Sequence, residues 1–260
     1  MDTPWTRDGR VRADIVQVTP DVSGLVAEIS VRNNQAVKKG DVLFRIDPIR
    51  FELALREAEA MLAAKDAAAQ EAVREMNRYL ALTNLEISIE KQQQRSSTAA
   101  EARAAYQKAL ADRDVARLNL ERATVRASVN GIVSNFSVRP GDYATAGNSV
   151  FALVDTDSIY VAGYFQETKL RDIRVGDRVE VHLMGEVAAI EGHVESIAGG
   201  IADRELSDGP SRLANVNPTF SWVRLAQRVP VRVALDHVPD GMRLIAGRTA
   251  TVVILPAGHR

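Results

Sequence analysis

The sequence PDVSGLVAEISVRNNQAVKKGDVLFRID, residues 20–47, has a second copy in ASVNGIVSNFSVRPGDYATAGNSVFALVD, residues 127–155. With Gly24 set against Gly131, the pairs Val22/Val129, Val26/Val133, Ser30/Ser137, Val31/Val138, Gly40/Gly147 and Phe44/Phe151 are identical, and Ile46 matches Leu153. Self-similarity of this kind decides the fold before any local reading does. Each copy alternates Val, Ile and Phe with polar residues and is punctuated by Gly, Asn and Asp, the pattern of short strands joined by turns. Gly24 and Gly131 are expected where the backbone needs positive φ or close approach. Gly40 and Gly147 fall just before the last strand of each copy. These four glycines are the expected structural turns. A unit so small cannot bury its apolar face alone, so the two copies are expected to close into one β-sandwich.

The stretch between the copies, from Pro48 to Val125, reads as two helices. Asp47 can cap the first turn and Pro48 suits the first helical position. No Gly and no further Pro follows before Leu82, and Ala, Glu, Leu, Arg and Lys dominate. Phe51, Leu55, Ala58, Leu62, Ala69, Ala72, Met76 and Tyr79 form an a/d seam broken by Lys65. Residues 83–88 interrupt the pattern, with Ser88 as the N-cap of a second helix that runs to about Arg122. Its seam is Ala99, Ala102, Tyr106, Ala109, Ala116 and Leu120, broken by Arg113. At ~1.5 Å per residue each helix is about 50 Å long. Both ends must return to adjacent strands of one small body, so an antiparallel hairpin is expected. Its charged faces (Glu71, Arg74, Glu75 and 91–95) should be solvated or face sister subunits.

Upstream, residues 6–18 read as one strand leading into the first copy. Downstream, residues 158–165, 179–184, 190–201, 229–235 and 249–255 read as strands. With a short helix over 166–173, they suggest a small antiparallel β-barrel. Residues 202–219 read as a loop and 256–260 as a frayed tail.

Two lipoyl-like halves resemble a biotinyl/lipoyl domain, but no Lys lies at a turn joining them. Lys38 and Lys39 precede Gly40 inside the first copy and are a poor swinging arm. A lipoyl-like domain split by a long insertion resembles the haemolysin-D-type membrane fusion (periplasmic adaptor) proteins, and the likeness covers nearly the whole chain. A closer likeness, to the adaptor subunit of aromatic carboxylic acid (p-hydroxybenzoic acid) efflux pumps, is carried by Pro4–Asp8, Glu167–Leu170 and Trp222–Arg232. The resemblance implies an α+β fold, mainly β with a long antiparallel α-helical hairpin: a split lipoyl-like (barrel-sandwich hybrid) domain plus an antiparallel β-barrel domain. The expected divisions are 1–14, an N-terminal strand region near the membrane; 15–47 and 124–156, the lipoyl-like halves; 48–123, the hairpin; and 157–260, the barrel and membrane-proximal region.

By the same resemblance the protein is a periplasmic adaptor associated with the inner membrane. It links an inner-membrane transporter to an outer-membrane channel and self-associates into a ring, commonly a hexamer. Hairpin tips of the family carry an Arg, a Leu and a Ser that meet the channel; Arg78, Leu82 and Ser88 fit that pattern. Such adaptors usually carry an N-terminal membrane helix. No apolar run long enough to span a bilayer as a helix and no signal-like region near Met1 occurs here, so the anchor is either trimmed or lacking.

Composition supports a non-enzymatic reading. The 260 residues carry a formal net charge of -1 and no cysteine, which disfavours a nucleic-acid partner and rules out disulfides and thiolate metal sites. His182, His193, His237 and His259 have no metal-ligand spacing. No GxSxG, Walker-type or GxGxxG motif occurs. No catalytic, cofactor-binding or metal residue is therefore assigned. The alternatives are an adaptor for type I secretion or multidrug export, a biotin/lipoate carrier subunit modified on Lys38 or Lys39, and a free periplasmic small-molecule binder.

Overall fold

A computed structural model describes residues 3–81, 89–201, 206–208, 214–216, 226–239 and 241–255. In chain order the elements are β1 Trp5–Arg12, β2 Ile15–Val18, β3 Gly24–Ile29, β4 Ala36–Val37, β5 Val42–Ile46, α1 Ile49–Ala81 and α2 Ile89–Arg122. There follow β6 Thr124–Arg126, β7 Gly131–Ser134, β8 Tyr143–Ala144, β9 Phe151–Asp155 and β10 Tyr160–Gln166. A 3-10 helix, Glu167–Asp172, leads to β11 Arg178–Leu183, β12 Ile190–Ile197, β13 Leu206–Asp208, β14 Ala214–Val216, β15 Arg228–His237 and β16 Thr249–Leu255. The chain divides into two compact units, residues 16–153 and residues 1–15 with 154–260.

The first unit is built by exchange between the two repeats. Its four-stranded sheets run β2-β9-β7-β4 and β6-β5-β3-β8. β3 of the first repeat pairs with β8 of the second (Gly24↔Ala144), and β4 of the first pairs with β7 of the second (Val37↔Gly131). The same offset that sets Gly24 on Gly131 maps one set of turn hydrogen bonds on the other. Asn34 N–H donates to Val133 O and Gly141 N–H to Val26 O, both at 2.8 Å. Gly40 N–H donates to Ala127 O (2.8 Å) as Gly147 N–H does to Pro20 O (3.1 Å). Gly40 and Gly147 have φ of +94° and +82°, which Gly tolerates most cheaply.

Gly24 and Gly131, in contrast, are not turn residues: each is the buried first residue of a strand. What Gly24 supplies is room, since a Cβ there would lie 2.6 Å from Ile46 Cγ2. Phe44 and Phe151, the matched aromatics, meet edge to face with ring centroids 6.0 Å apart, in a core with Leu43, Ile46, Val133 and Leu153. Burying each such side chain contributes roughly 1.5–3 kcal/mol.

The insertion leaves and re-enters between paired strands. β5 pairs with β6 (Phe44↔Val125), and Ile46 N–H donates to Ala123 O at 2.8 Å. Asp47 Oδ1 accepts from Ile49 N–H at 3.1 Å and caps α1 as expected.

The second unit is a closed barrel in the order β1-β10-β15-β12-β11-β16. Val11, Val161, Phe165, Val181, Ile190, Val194, Val231, Val233, Val252 and Ile254 fill it. The stretch 6–18 is therefore not one strand. It splits at Ala13–Asp14, and β1 completes the barrel between β10 and β16 rather than leading into the first repeat. Gly9 makes that closure possible, because a Cβ there would meet Ala250 O at 2.6 Å. The stretch 202–219 is not all loop either: β13 and β14 form an antiparallel ladder, with Ser207↔Asn215.

Candidate functional site

Two regions carry the residues singled out by sequence: the helical hairpin and one end of the barrel.

Along α2 and just past its end, the buried or half-buried residues Gln92, Arg95, Ala99, Ala102, Tyr106, Ala109, Arg113, Ala116, Leu120 and Ala123 follow one another in alternating steps of three and four. That is an unbroken heptad seam, and Arg113 belongs to it. Its Nε is buried, lies 2.9 Å from Asp114 Oδ1, and makes no hydrogen bond. In α1 the seam passes through Phe51, Leu55, Ala58, Leu62, Asp66, Ala69, Val73 and Met76. Lys65 is exposed because the seam takes two steps of four around Leu62, the signature of a local change of winding. Beside that step lies an open groove of about 670 Å³, lined by Asp66, Ala69, Gln70, Arg103 and Tyr106.

Near the far end of the hairpin the helices are bridged. Arg95 donates to Glu75 Oε2 at 2.8 Å and stands 5.1 Å from the Tyr79 ring centroid. Glu75 and Arg95 thus face each other across the hairpin rather than standing apart as solvated charges. Glu71 pairs with Arg74 on the same helix at 2.7 Å. The hydrogen bond from Arg74, then its charge, holds the Glu71 carboxyl below its ordinary range. Arg78 is exposed on the last turn of α1. Leu82 and Ser88, its expected companions, lie outside the described residues.

At the barrel end two of the stretches that carry the closer resemblance meet the described part of the third, residues 226–232. β1 starts there, the 3-10 helix follows β10 there, and β15 starts there. Lys169 Nζ donates to Trp5 O at 3.3 Å and sits 5.4 Å from the Trp5 ring centroid; the Arg7 guanidinium sits 5.3 Å from the same ring. Arg228 pairs with Asp8. On the barrel wall, Arg232 stacks 3.8 Å from the Tyr160 centroid and pairs with Glu195 at 2.6 Å. Sequence reading could find these stretches but not their meeting, which depends on β1 entering the barrel.

His182, His193 and His237 lie on β11, β12 and β15 of the barrel wall. His193 Nδ1 is 2.8 Å from Asp236 Oδ1, and His182 is 3.7 Å from Glu180. His259 lies outside the described residues. Among the described residues there is no cluster of His, Asp and Glu able to hold a metal. Asp157 N–H donates to Asp155 Oδ1 at 2.8 Å, so this close pair forms a turn. Lys38 and Lys39 are exposed at a turn inside the first repeat, where their main-chain N–H groups donate to Asp41 and Asn130.

Comparison with known proteins agrees with this architecture. The family description "RND MFP, barrel-sandwich hybrid domain" matches residues 14–156, and "AAEA-like beta-barrel domain" matches residues 158–255. The Escherichia coli (strain K12) protein YdhJ, described as uncharacterized, is 41% identical over 254 residues, covering 98% of this chain and 89% of YdhJ. Two solved structures share the fold. The membrane fusion protein Spr0693 from Streptococcus pneumoniae R6 gives a TM-score of 0.71 at 17% identity, over 97% of this chain and 99% of that one. A MacA-MexA chimeric protein containing the Pseudomonas aeruginosa MexA alpha-hairpin domain gives 0.68 at 22% identity, over 99% and 83%.

Proposed function

The chain belongs to the family of RND membrane fusion proteins, and we propose that it is the periplasmic adaptor subunit of a tripartite pump that exports aromatic carboxylic acids. In this reading the protein does no chemistry. It associates with the inner membrane, couples an inner-membrane transporter through its barrel, meets an outer-membrane channel through its hairpin tip, and closes a conduit by self-association into a ring of six.

The observation that carries the reading is the clamped base of the hairpin. β5 and β6 pair directly on either side of the insertion, so the intervening helices are forced out as a double rod from a body whose halves are interlocked. Such a rod can transmit position between its two ends. The aromatic-acid assignment is supported by the AAEA-like barrel match and by the convergence of the stretches around Trp5, Lys169 and Arg228. For the channel contact the proposed residues are Arg78, Leu82 and Ser88, chosen by motif spacing: a Leu, an Arg and a Ser are residue types that can make a small interface anchor.

The test is export. Loss of the gene should lower tolerance to aromatic carboxylic acids several-fold, and the wild-type gene should restore it. Leu82→Asp should fail to restore it while leaving helix content and thermal unfolding unchanged. If Leu82→Asp lowers stability, Leu82 is a packing residue and the docking role is wrong. If the protein stays monomeric in the presence of its transporter, the ring is wrong.

A further inference from the structure

We infer that the unit of residues 16–153 carries a binding site for a neutral saccharide, in a pocket of about 430 Å³ beside β8. Ser137, Tyr143, Thr145, Asn148 and Ser149 of the second repeat line it, together with Val26 of the first. Its walls are two turns held from the first repeat. In the turn 139–142, Asp142 Oδ2 accepts from Arg139 N–H and Gly141 N–H donates to Val26 O, both at 2.8 Å. In the turn 145–148, Ala146 N–H donates to Ser23 Oγ at 2.9 Å and Gly147 N–H to Pro20 O at 3.1 Å. The pocket is therefore preorganised rather than shaped by its occupant.

The first repeat serves as an internal control, because the offset that aligns the copies gives each of these second-copy residues a mate. Ser137 matches Ser30, but Tyr143 stands where the first copy has Ala36, Thr145 where it has Lys38, Asn148 where it has Asp41 and Ser149 where it has Val42. The main-chain turn is the same in both: Asp41 N–H donates to Lys38 O at 3.0 Å, and Asn148 N–H to Thr145 O at 3.1 Å. In the first copy Asp41 Oδ2 is occupied by Lys38 N–H at 2.8 Å. In the second, the side chains of Ser137, Thr145 and Asn148 have no hydrogen-bond partner among the described residues. A charged, self-bonded turn in one copy is thus an aromatic ring, hydroxyls and an amide around one pocket in the other.

Small-molecule pockets are ordinarily apolar with a few polar groups. Here groups that both donate and accept hydrogen bonds dominate. Asp142 is the one charged residue of the lining, and its own turn engages it, so nothing there selects an anion. A lone carboxylate is also too little to hold a metal ion. Tyr143 is 60% exposed and offers an aromatic face beside the hydroxyls and the amide. A pyranose presents the complement of both: a C–H face for the ring and equatorial hydroxyls for Ser, Thr and Asn. The proposal goes beyond the adaptor reading and can be measured without it, because it concerns the purified chain alone.

The experiment is calorimetric titration of the full chain with cellobiose and with N,N′-diacetylchitobiose. At least one should bind saturably in the millimolar range. Loss of one hydrogen bond or of the aromatic contact is worth about 2- to 12-fold in affinity. Asn148→Ala and Tyr143→Ala should each weaken binding by that factor, while Tyr143→Phe keeps the ring and should stay within about twofold. Each is an exposed substitution and should leave thermal unfolding unchanged. Lys38→Ala, at the mate of Thr145 in the first copy, should leave binding within about twofold, because it lies outside the pocket. No saturable binding of either disaccharide, equal loss in Lys38→Ala, or displacement of the sugar by phosphate at equal ionic strength overturns the proposal. Tighter binding of the corresponding tetrasaccharide identifies a glycan strand as the occupant and equal binding a free sugar, and the site stands in both cases.

Discussion

The closure of the two repeats into one core can be tested at Phe44 and Phe151. Phe44 lies on β5, before the helical insertion, and Phe151 on β9, after it, yet the rings meet edge to face at 6.0 Å. Phe44 is 0% exposed and Phe151 is 3% exposed. Truncating either to Ala removes a fully packed ring and should cost about 3–5 kcal/mol, a large share of the roughly 5–15 kcal/mol typical of a domain. The milder Phe44→Leu and Phe151→Leu should each cost about 1–2 kcal/mol and leave the unit folded, which allows a double-mutant cycle. The aromatic pair should appear as a coupling of about 0.5–1.5 kcal/mol. Urea unfolding suits the measurement, with the transition of residues 16–153 followed separately, because a two-unit chain need not unfold in one step. Strict additivity of the Leu variants, or an Ala variant as stable as the parent, would refute a shared core.

Two further outcomes are expected. Gly9→Ala should destabilise the barrel unit by about 1–3 kcal/mol through overpacking, since the added carbon meets a main-chain carbonyl at 2.6 Å and Val252 at 2.8 Å; thermal unfolding reads this, and an unchanged midpoint would contradict the tight closure. At the hairpin, the Glu71 carboxyl should titrate below its ordinary value of 4.5 and move back toward it in Arg74→Ala. Its folded-state pKa is depressed, so the pair's stabilisation is present above the ordinary carboxylate range and is lost as pH falls through the lowered pKa; carboxyl chemical shifts followed by NMR check both points.

The general plan of the fold is legible in sequence because the repeat and the helix periodicity are both local patterns. The cap at Asp47, the close match of α1 to its expected ends and the barrel strands after Tyr160 follow from such patterns. What was hidden is non-local. The alternation of residues 6–18 runs through Ala13–Asp14 without a break, and nothing in it says that its first half joins strands from the far end of the chain. Gly24 and Gly131 looked like turn glycines because a sequence cannot tell positive φ from crowding; for Gly24 the reason is the Ile46 side chain. The seam step around Leu62 was hidden by a fixed heptad, which placed Lys65 inside and left Asp66 out. β13 and β14 lie in a stretch rich in turn-formers, where strands this short carry too little alternation to be seen. The likeness of Arg78, Leu82 and Ser88 to a docking tip comes from motif spacing, and the described geometry contributes only the exposure of Arg78.

The pairing of β5 with β6 makes the rod an interchangeable part. Its anchorage is complete within a few residues of Ile46 and Ala123, so nothing below that point registers how far the helices extend. One heptad added to each helix in matched register would lengthen the reach by ~10.5 Å and leave the base undisturbed, whereas a heptad added to one helix alone would slide the facing seams out of phase. Reach can therefore drift between relatives in paired increments, under no constraint from the body that holds it.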